Sequence, residues 1–103
     1  IGRLAFVNEY GKAKFDEVAV FNSALDQAAV TALYGASPNA GIPSAVTGAV
    51  GYWRMGDDSN DSATSGGSIT TITDSSRNGN DATQSTASNQ PTFSDLTGET
   101  IYS

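Results

Sequence analysis

The stretch KFDEVAVFN, residues 14–22, decides how we interpret the fold of this chain. It is rich in β-branched and aromatic residues and ends at a polar turn, which is typical of a β-strand. If Lys14–Phe21 is one strand, successive side chains alternate between its two faces, and both faces carry apolar residues. This pattern predicts a strand inside a sandwich rather than at its edge. The alternation also places Asp16 and Glu17 on opposite faces, so they cannot act together on one glycosidic bond.

A short helix is predicted directly after this strand, over Gln27–Tyr34. Asp26 is a good N-cap residue, and Gly35 stands where a helix commonly ends. We expect the apolar stripe Val30, Leu33 and Tyr34 to be buried, because a helix of about two turns is not stable alone.

Further outward, the signals are weaker and rich in turn residues. Residues 36–49 contain Pro38 and Pro43 and are typical of an extended linker. Asn78-Gly79, within the turn-forming stretch 74–80, is the clearest turn signal in the chain. Further strands are expected at Ile1–Val7, from Val50 or Gly51 onward, at Ser68–Thr73 and at Asp81–Thr86.

The composition predicts a thin core. Of 103 residues, 19 are Leu, Ile, Val or Phe, and the formal net charge is −6. A domain of roughly 100 residues is only marginally stable even with an ordinary core. We therefore expect the chain to depend on neighbours, either as other subunits or as the rest of a longer polypeptide. Its first residue, Ile1, fits a fragment or a processed product.

Composition also excludes several functional classes. The acidic balance argues against nucleic acid, and no apolar run approaches the roughly 20 residues of a membrane helix. The chain has no Cys and no His, which removes disulfides, thiolate metal sites and the commonest general base. We therefore expect a protein that is not an enzyme.

Two segments carry a family resemblance. Residues 14–34, from KFDEVAVFN through Leu33-Tyr34, resemble the closing motif of laminin-G-like, concanavalin A-like jelly-roll domains. Residues 51–57 (GYWRMGD) with residues 73–83 (TDSSRNGNDAT) resemble the opening of the same family. In the second segment Arg77 and Ala82 stand where the family usually has Gly.

The order of these motifs is unusual, because the closing motif comes first. The resemblance implies an all-β antiparallel β-sandwich of the concanavalin A-like jelly-roll type, present only in part, with one short helix. Residues 1–35 would be the closing part of one jelly roll, and residues 36–50 would be a linker. Residues 51–103 would be the opening part of a second jelly roll or a C-terminal extension. A circularly permuted or minimal single domain is the other interpretation. The sequence therefore leaves open whether the two segments belong to one sandwich or to two.

The same combination of motifs resembles structural proteins of tailed bacteriophages, particularly marine ones. It implies a virion protein that decorates a capsid or tail and contacts other virion subunits or copies of itself. The alternative is a carbohydrate-binding, lectin-like module of a secreted bacterial protein that contacts a cell-surface glycan. A glucanase-like hydrolase on this fold is disfavoured, since it needs two carboxylates in a groove and the sequence has no close-set Glu pattern on alternating strand positions.

Two groups of residues are candidate sites. The carboxylates of Asp57, Asp58, Asp61 and Asp74 are the ligand type that Ca²⁺ prefers, which makes Ca²⁺ the candidate cofactor. We favour the alternative in which these residues form Asx-turns in a solvated loop. Tyr52 and Trp53 are candidates for stacking on a sugar, although the motif favours burial of at least one of them.

Overall fold

The computed structural model describes residues 13–37, 40–61 and 63–94. In chain order these ranges form β1 (Val18–Phe21), α1 (Gln27–Tyr34), β2 (Ala49–Trp53), β3 (Thr71–Ile72) and β4 (Ala82–Thr83), followed by a 3₁₀ turn over Ala87–Asn89. The strands form two antiparallel sheets, β1 with β2 and β3 with β4. The described part is therefore small and mostly β, with little helix. The predicted strand Ile1–Val7 lies outside the described residues.

Strand β1 pairs with β2, so the two motif segments meet in one sheet. Val18 pairs with Trp53 and Ala19 with Tyr52, and the register shifts by a bulge between Val20 and Phe21. Beyond the bulge, the Asn22 N–H donates to the Gly48 carbonyl at 3.0 Å. This sheet links the segments that the sequence assigns to different domain parts. The division into domains itself stays a prediction.

The prediction of a strand over the whole of Lys14–Phe21 is wrong for its first half. Glu17 has a φ of 51°, in the left-handed region, and the strand begins only at Val18. A left-handed residue breaks the alternation of faces that an extended chain requires. Phe15 consequently lies outside the strand and is 52% exposed.

The helix prediction is confirmed in its bounds but wrong in its buried face. An oxygen of the Asp26 carboxylate accepts the Ala29 N–H at 2.8 Å, and the Gly35 N–H donates to the Thr31 carbonyl at 3.0 Å. The N-terminal end of α1 is therefore capped as Asp26 predicts, and the helix ends before Gly35, which has a φ of −82° and forms no left-handed cap. However, Val30 is 46% and Tyr34 is 74% exposed, and no residue of the helix is fully buried. The bounds of this helix are set by local capping, and its apolar stripe is not covered by other described parts of the chain.

The later strands form where expected but are shorter. Strand β2 begins at Ala49, one residue before the predicted start, while β3 and β4 keep only two residues each. Ser68, predicted as the start of β3, makes an isolated bridge to Thr92 instead. Asn78-Gly79 belongs to a nine-residue connection between β3 and β4 rather than to a two-residue hairpin turn.

The core is as thin as the composition predicts. Among the described residues, only Val46, Tyr52 and Ile69 are buried hydrophobic side chains. Two carboxylates, Asp58 and Asp74, are buried beside them. Polar groups therefore take a share of the interior that apolar side chains usually fill, and they lie around β2.

Candidate functional site

Asp74 is the most buried side chain of the described residues, at 2% exposure, and it holds the second edge of β2. Its carboxylate accepts the backbone N–H groups of Tyr52, Ser76 and Asn80, each at 3.0 Å. The Ser75 N–H also donates to the Tyr52 carbonyl at 2.7 Å. We call residues 74–81 the Asp74 loop. This loop pairs with β2 where a further strand would pair, on the edge opposite β1.

The polar side chains of the Asp74 loop converge on one acceptor, the Val50 carbonyl. The Ser76 hydroxyl and the side-chain amides of Asn78 and Asn80 all donate to it, at 3.1–3.2 Å. The Asn78 amide also donates to the Ser76 hydroxyl at 3.1 Å. Side-chain hydrogen bonds thus replace a regular ladder along this stretch of β2.

Hydrogen bonding shifts the titration of Asp74. Hydrogen bonds from Ser76, together with those from Asn80, hold the pKa of the Asp74 carboxyl below its usual value, although burial opposes this shift. Donors that stabilise the ionised form lower a carboxyl pKa in this way. The ionised form of Asp74 is therefore part of the folded structure.

The backbone differs at Arg77 and Ala82, the two positions where the resembled family usually has Gly. Arg77 has a φ of 70°, in the left-handed region that glycine occupies without strain. Ala82 lies in β4, and its backbone needs no such freedom. Only the first replacement therefore places a side chain in an unfavourable backbone conformation.

Asp58 and Asp61 are also engaged in structural hydrogen bonds. Asp58 accepts the Ser75 hydroxyl at 2.6 Å and the Asn60 N–H at 2.9 Å, and these bonds lower its pKa, Ser75 contributing most. Asp61 accepts the N–H groups of Gly56 at 3.1 Å and Thr73 at 2.7 Å. The Asx-turn interpretation fits Asp58, yet Asp58 is buried rather than solvated.

The four candidate calcium ligands do not form one ligand set. Asp58, Asp61 and Asp74 each accept hydrogen bonds from different parts of the chain, whereas the carboxylate of Asp57 lies beside Asp16 and Glu17. Calcium needs several oxygens at about 2.3–2.6 Å from one point. Calcium binding by these four aspartates stays a prediction, and the positions of their oxygens do not support it.

A different acidic cluster forms where β1 begins, and sequence reasoning missed it. One carboxylate oxygen from each of Asp16, Glu17 and Asp57 lies within 4.8 Å of the other two. The left-handed backbone at Glu17 brings the first two together, so the expectation that they face opposite ways is wrong. No periodic pattern signals a positive φ at a glutamate.

Arg54 offsets part of the negative charge of this cluster, and Tyr52 donates a hydrogen bond to it. The Arg54 guanidinium lies 3.2 Å from Glu17 and 3.9 Å from Asp57, and the Tyr52 hydroxyl donates to Glu17. Burial raises the pKa values of both Asp16 and Glu17, and for Asp16 the charge of Asp57 adds to this effect. Arg54 therefore pairs with two of the three carboxylates of this cluster, Glu17 and Asp57.

The two candidate sugar-stacking residues differ in exposure. Tyr52 is buried, as the motif favours for at least one of the pair, and its hydroxyl is engaged by Glu17. Trp53 is partly exposed; its ring packs on Gly51, and its indole N–H donates to the Asn80 carbonyl at 2.8 Å. Sugar stacking stays a prediction, for which Trp53 is the side chain that solvent reaches.

Comparisons with family models, with curated proteins and with solved structures gave no match for this chain. Within the described ranges, no helix is long and apolar enough to cross a membrane.

Proposed function

We propose that this chain is a non-enzymatic structural or adhesion component of a phage particle that works through protein–protein contacts. In this proposal its fold is part of a concanavalin A-like jelly roll, and it decorates a capsid or tail. The resemblance of the two motif segments supports both the fold and the virion. The antiparallel pairing of β1 with β2 is compatible with a sandwich built from these motifs.

The observation that carries the proposal is the distribution of apolar side chains. Five large hydrophobic residues are strongly exposed, while only three hydrophobic side chains in the described part are buried. The exposed residues are Phe15, Val20, Val30, Tyr34 and Val50. Subunit contacts on these side chains would supply the burial that this chain lacks.

The arrangement of the carboxylates supports a non-catalytic role. Asp58, Asp61 and Asp74 accept hydrogen bonds that hold loops in place, and Arg54 pairs with Glu17 in the remaining acidic cluster. A hydrolase of this fold class needs one carboxyl to donate a proton and another to attack or activate water across a groove. Asp58, Asp61 and Asp74 are held by backbone donors and are poorly suited to that exchange, so this support concerns these three aspartates and not the cluster of Asp16, Glu17 and Asp57.

The test is the oligomeric state of the native material, measured by light scattering with intact mass spectrometry. We expect a multimer that dissociates when the exposed helix face is made polar by Val30→Ser with Tyr34→Ser. Ala28→Ser, at another exposed position of α1, is the matched control and should leave the multimer intact. A wild-type chain that is a monomer at all concentrations would contradict the proposal.

The alternative is a carbohydrate-binding module, which the partial exposure of Trp53 favours. It predicts a monomer that binds glycans on an array and loses this binding in Trp53→Leu. If Trp53→Leu still binds the glycan as well as the wild-type chain does, another surface holds the glycan. A multimer that binds no glycan would favour the virion role.

A further inference from the structure

The Asn78-Gly79 pair is exposed and sterically open within the Asp74 loop. Both residues are exposed, and Gly79 has a φ of 78° with no atom near the position that a Cβ would take. Within the described residues, no acceptor engages the Gly79 N–H. A backbone nitrogen that follows an asparagine and carries no side chain of its own is the least hindered nucleophile for the asparagine side chain.

The side chain of Asn78 makes hydrogen bonds that contribute to the fold. The Asn78 amide donates to the Val50 carbonyl and to the Ser76 hydroxyl, both at 3.1 Å. These bonds belong to the set that holds the Asp74 loop on β2. A chemical change at this amide therefore alters the contact between the loop and the central strand.

We propose that Asn78 is a self-modification site, at which spontaneous deamidation loosens the Asp74 loop from β2. Base removes the proton of the Gly79 backbone nitrogen, which attacks Cγ of Asn78. A new N–C bond closes a succinimide, the Cγ–Nδ2 bond breaks, and the amide nitrogen leaves as ammonia. Water then opens the succinimide at either carbonyl and gives aspartate or isoaspartate. One water is consumed, one ammonia is released, and nothing is oxidised or reduced.

Both products disrupt the contact. Aspartate at position 78 has no N–H to donate, and its negative charge repels the Val50 carbonyl that the amide contacted. Isoaspartate adds a carbon to the backbone between Asp74 and Asn80, and the Asn80 N–H is one of the donors to the Asp74 carboxylate. The modification therefore acts on the hydrogen bonds that pair the loop with Tyr52.

Asn80 provides an internal control. Its side-chain amide donates to the same Val50 carbonyl at 3.1 Å, and it is also exposed. It is followed by Asp81, whose side chain hinders attack by the backbone nitrogen and whose carboxylate accepts the Asp74 N–H at 2.8 Å. The two asparagines share an environment and differ in the residue that follows.

The experiment incubates the full folded chain at neutral and at mildly alkaline pH and maps the products by peptide mass spectrometry. We expect a mass gain of about one dalton and isoaspartate at Asn78, at least an order of magnitude faster than any change at Asn80. The rate should rise with pH, because the attacking nitrogen must lose its proton. Conversion at equal rates at the two positions, or conversion at Asn78 only in urea, would overturn the proposal.

Two variants test the structural consequence. The thermal midpoint of the wild-type chain should fall as Asn78 is converted, and Asn78→Asp should reproduce part of this fall when freshly made. Asn78→Gln keeps an amide but deamidates slowly, so its midpoint should stay constant over the same incubation. An aged wild-type chain with converted Asn78 and an unchanged midpoint would refute the loosening of the loop.

Discussion

Gly51 is the position where the packing of the sheet can be tested most directly. An ideal Cβ at Gly51 would lie 2.5 Å from Cη2 of Trp53 and 3.1 Å from both Cζ2 and Cζ3. Carbon atoms pack best at about 3.5–4.0 Å, so in Gly51→Ala the indole ring must move by roughly 1 Å. That shift also stretches the bond from its N–H to the Asn80 carbonyl, now 2.8 Å long.

The magnitude follows from these contacts. Overpacking costs about 1–3 kcal/mol, and the weakened hydrogen bond costs about 1 kcal/mol. The lower chain entropy of alanine in the unfolded state offsets about 0.5–1 kcal/mol. We expect a net loss of about 2 kcal/mol in the free energy of unfolding for Gly51→Ala. In a domain of this size such a loss lowers the thermal midpoint by roughly 10 °C.

The assay is a double-mutant cycle followed by circular dichroism, since the chain has one Trp and the cycle removes it. Trp53→Leu takes away the ring atoms that the new methyl group meets. In that background Gly51→Ala should be neutral or slightly stabilising, which gives a coupling of about 2 kcal/mol between the positions. An equal cost of Gly51→Ala in both backgrounds would refute the packing of Trp53 on Gly51.

Three further predictions concern the loop and the acidic cluster. Asp74→Asn replaces one carboxylate oxygen by an amide nitrogen, so the Asn80 N–H meets a donor and loses its acceptor. The thermal midpoint should fall by roughly 10 °C. An unchanged melting curve would contradict the role of Asp74 as a buried acceptor. Arg77→Gly relieves the left-handed backbone and should stabilise the chain by about 0.5–1 kcal/mol in urea unfolding; a loss of stability in this variant would contradict the left-handed conformation. Glu17 has a raised pKa, so the stability that it contributes is fully present below its ordinary pKa of 4.5 and is lost as pH rises through the folded-state value. Glu17→Gln should remove this loss in melting curves between acidic and neutral pH, and an unaltered pH profile would argue against burial of the carboxyl.

Local signals in the sequence predict part of this structure correctly. The bounds of α1 follow from Asp26 and Gly35, since capping depends on residues within one turn of each helix end. The Asx-turn at Asp58 likewise follows from its own neighbours, because its carboxylate accepts the N–H two residues later. Both features were predictable since the interacting groups are adjacent in the chain.

Long-range and conformational features were beyond the sequence pattern. The bond from Tyr52 to Asp74 spans 22 residues, and nothing in the local sequence indicates which N–H a buried carboxylate will accept. The left-handed conformation of Glu17 has no periodic signal, so the acidic cluster with Asp57 could not be inferred. The exposure of Tyr34 was missed for another reason: amphipathic spacing predicts an apolar face but not the surface that covers it.

The two edges of β2 are held by interactions that differ in their sensitivity to pH. Strand β1 holds one edge through backbone hydrogen bonds, which carry no titratable group, and the contribution of the neighbouring Glu17 is lost as pH rises and not as it falls. The Asp74 loop holds the other through an ionised carboxylate whose pKa is lowered by its donors. Because that carboxyl has a lower pKa in the folded chain, its contribution to stability is present above its ordinary pKa of 3.8 and is lost as pH falls through the folded-state value. Acid should therefore weaken the contact between the Asp74 loop and β2, whereas the exposed apolar side chains of α1 and β1 lose no charge under the same conditions.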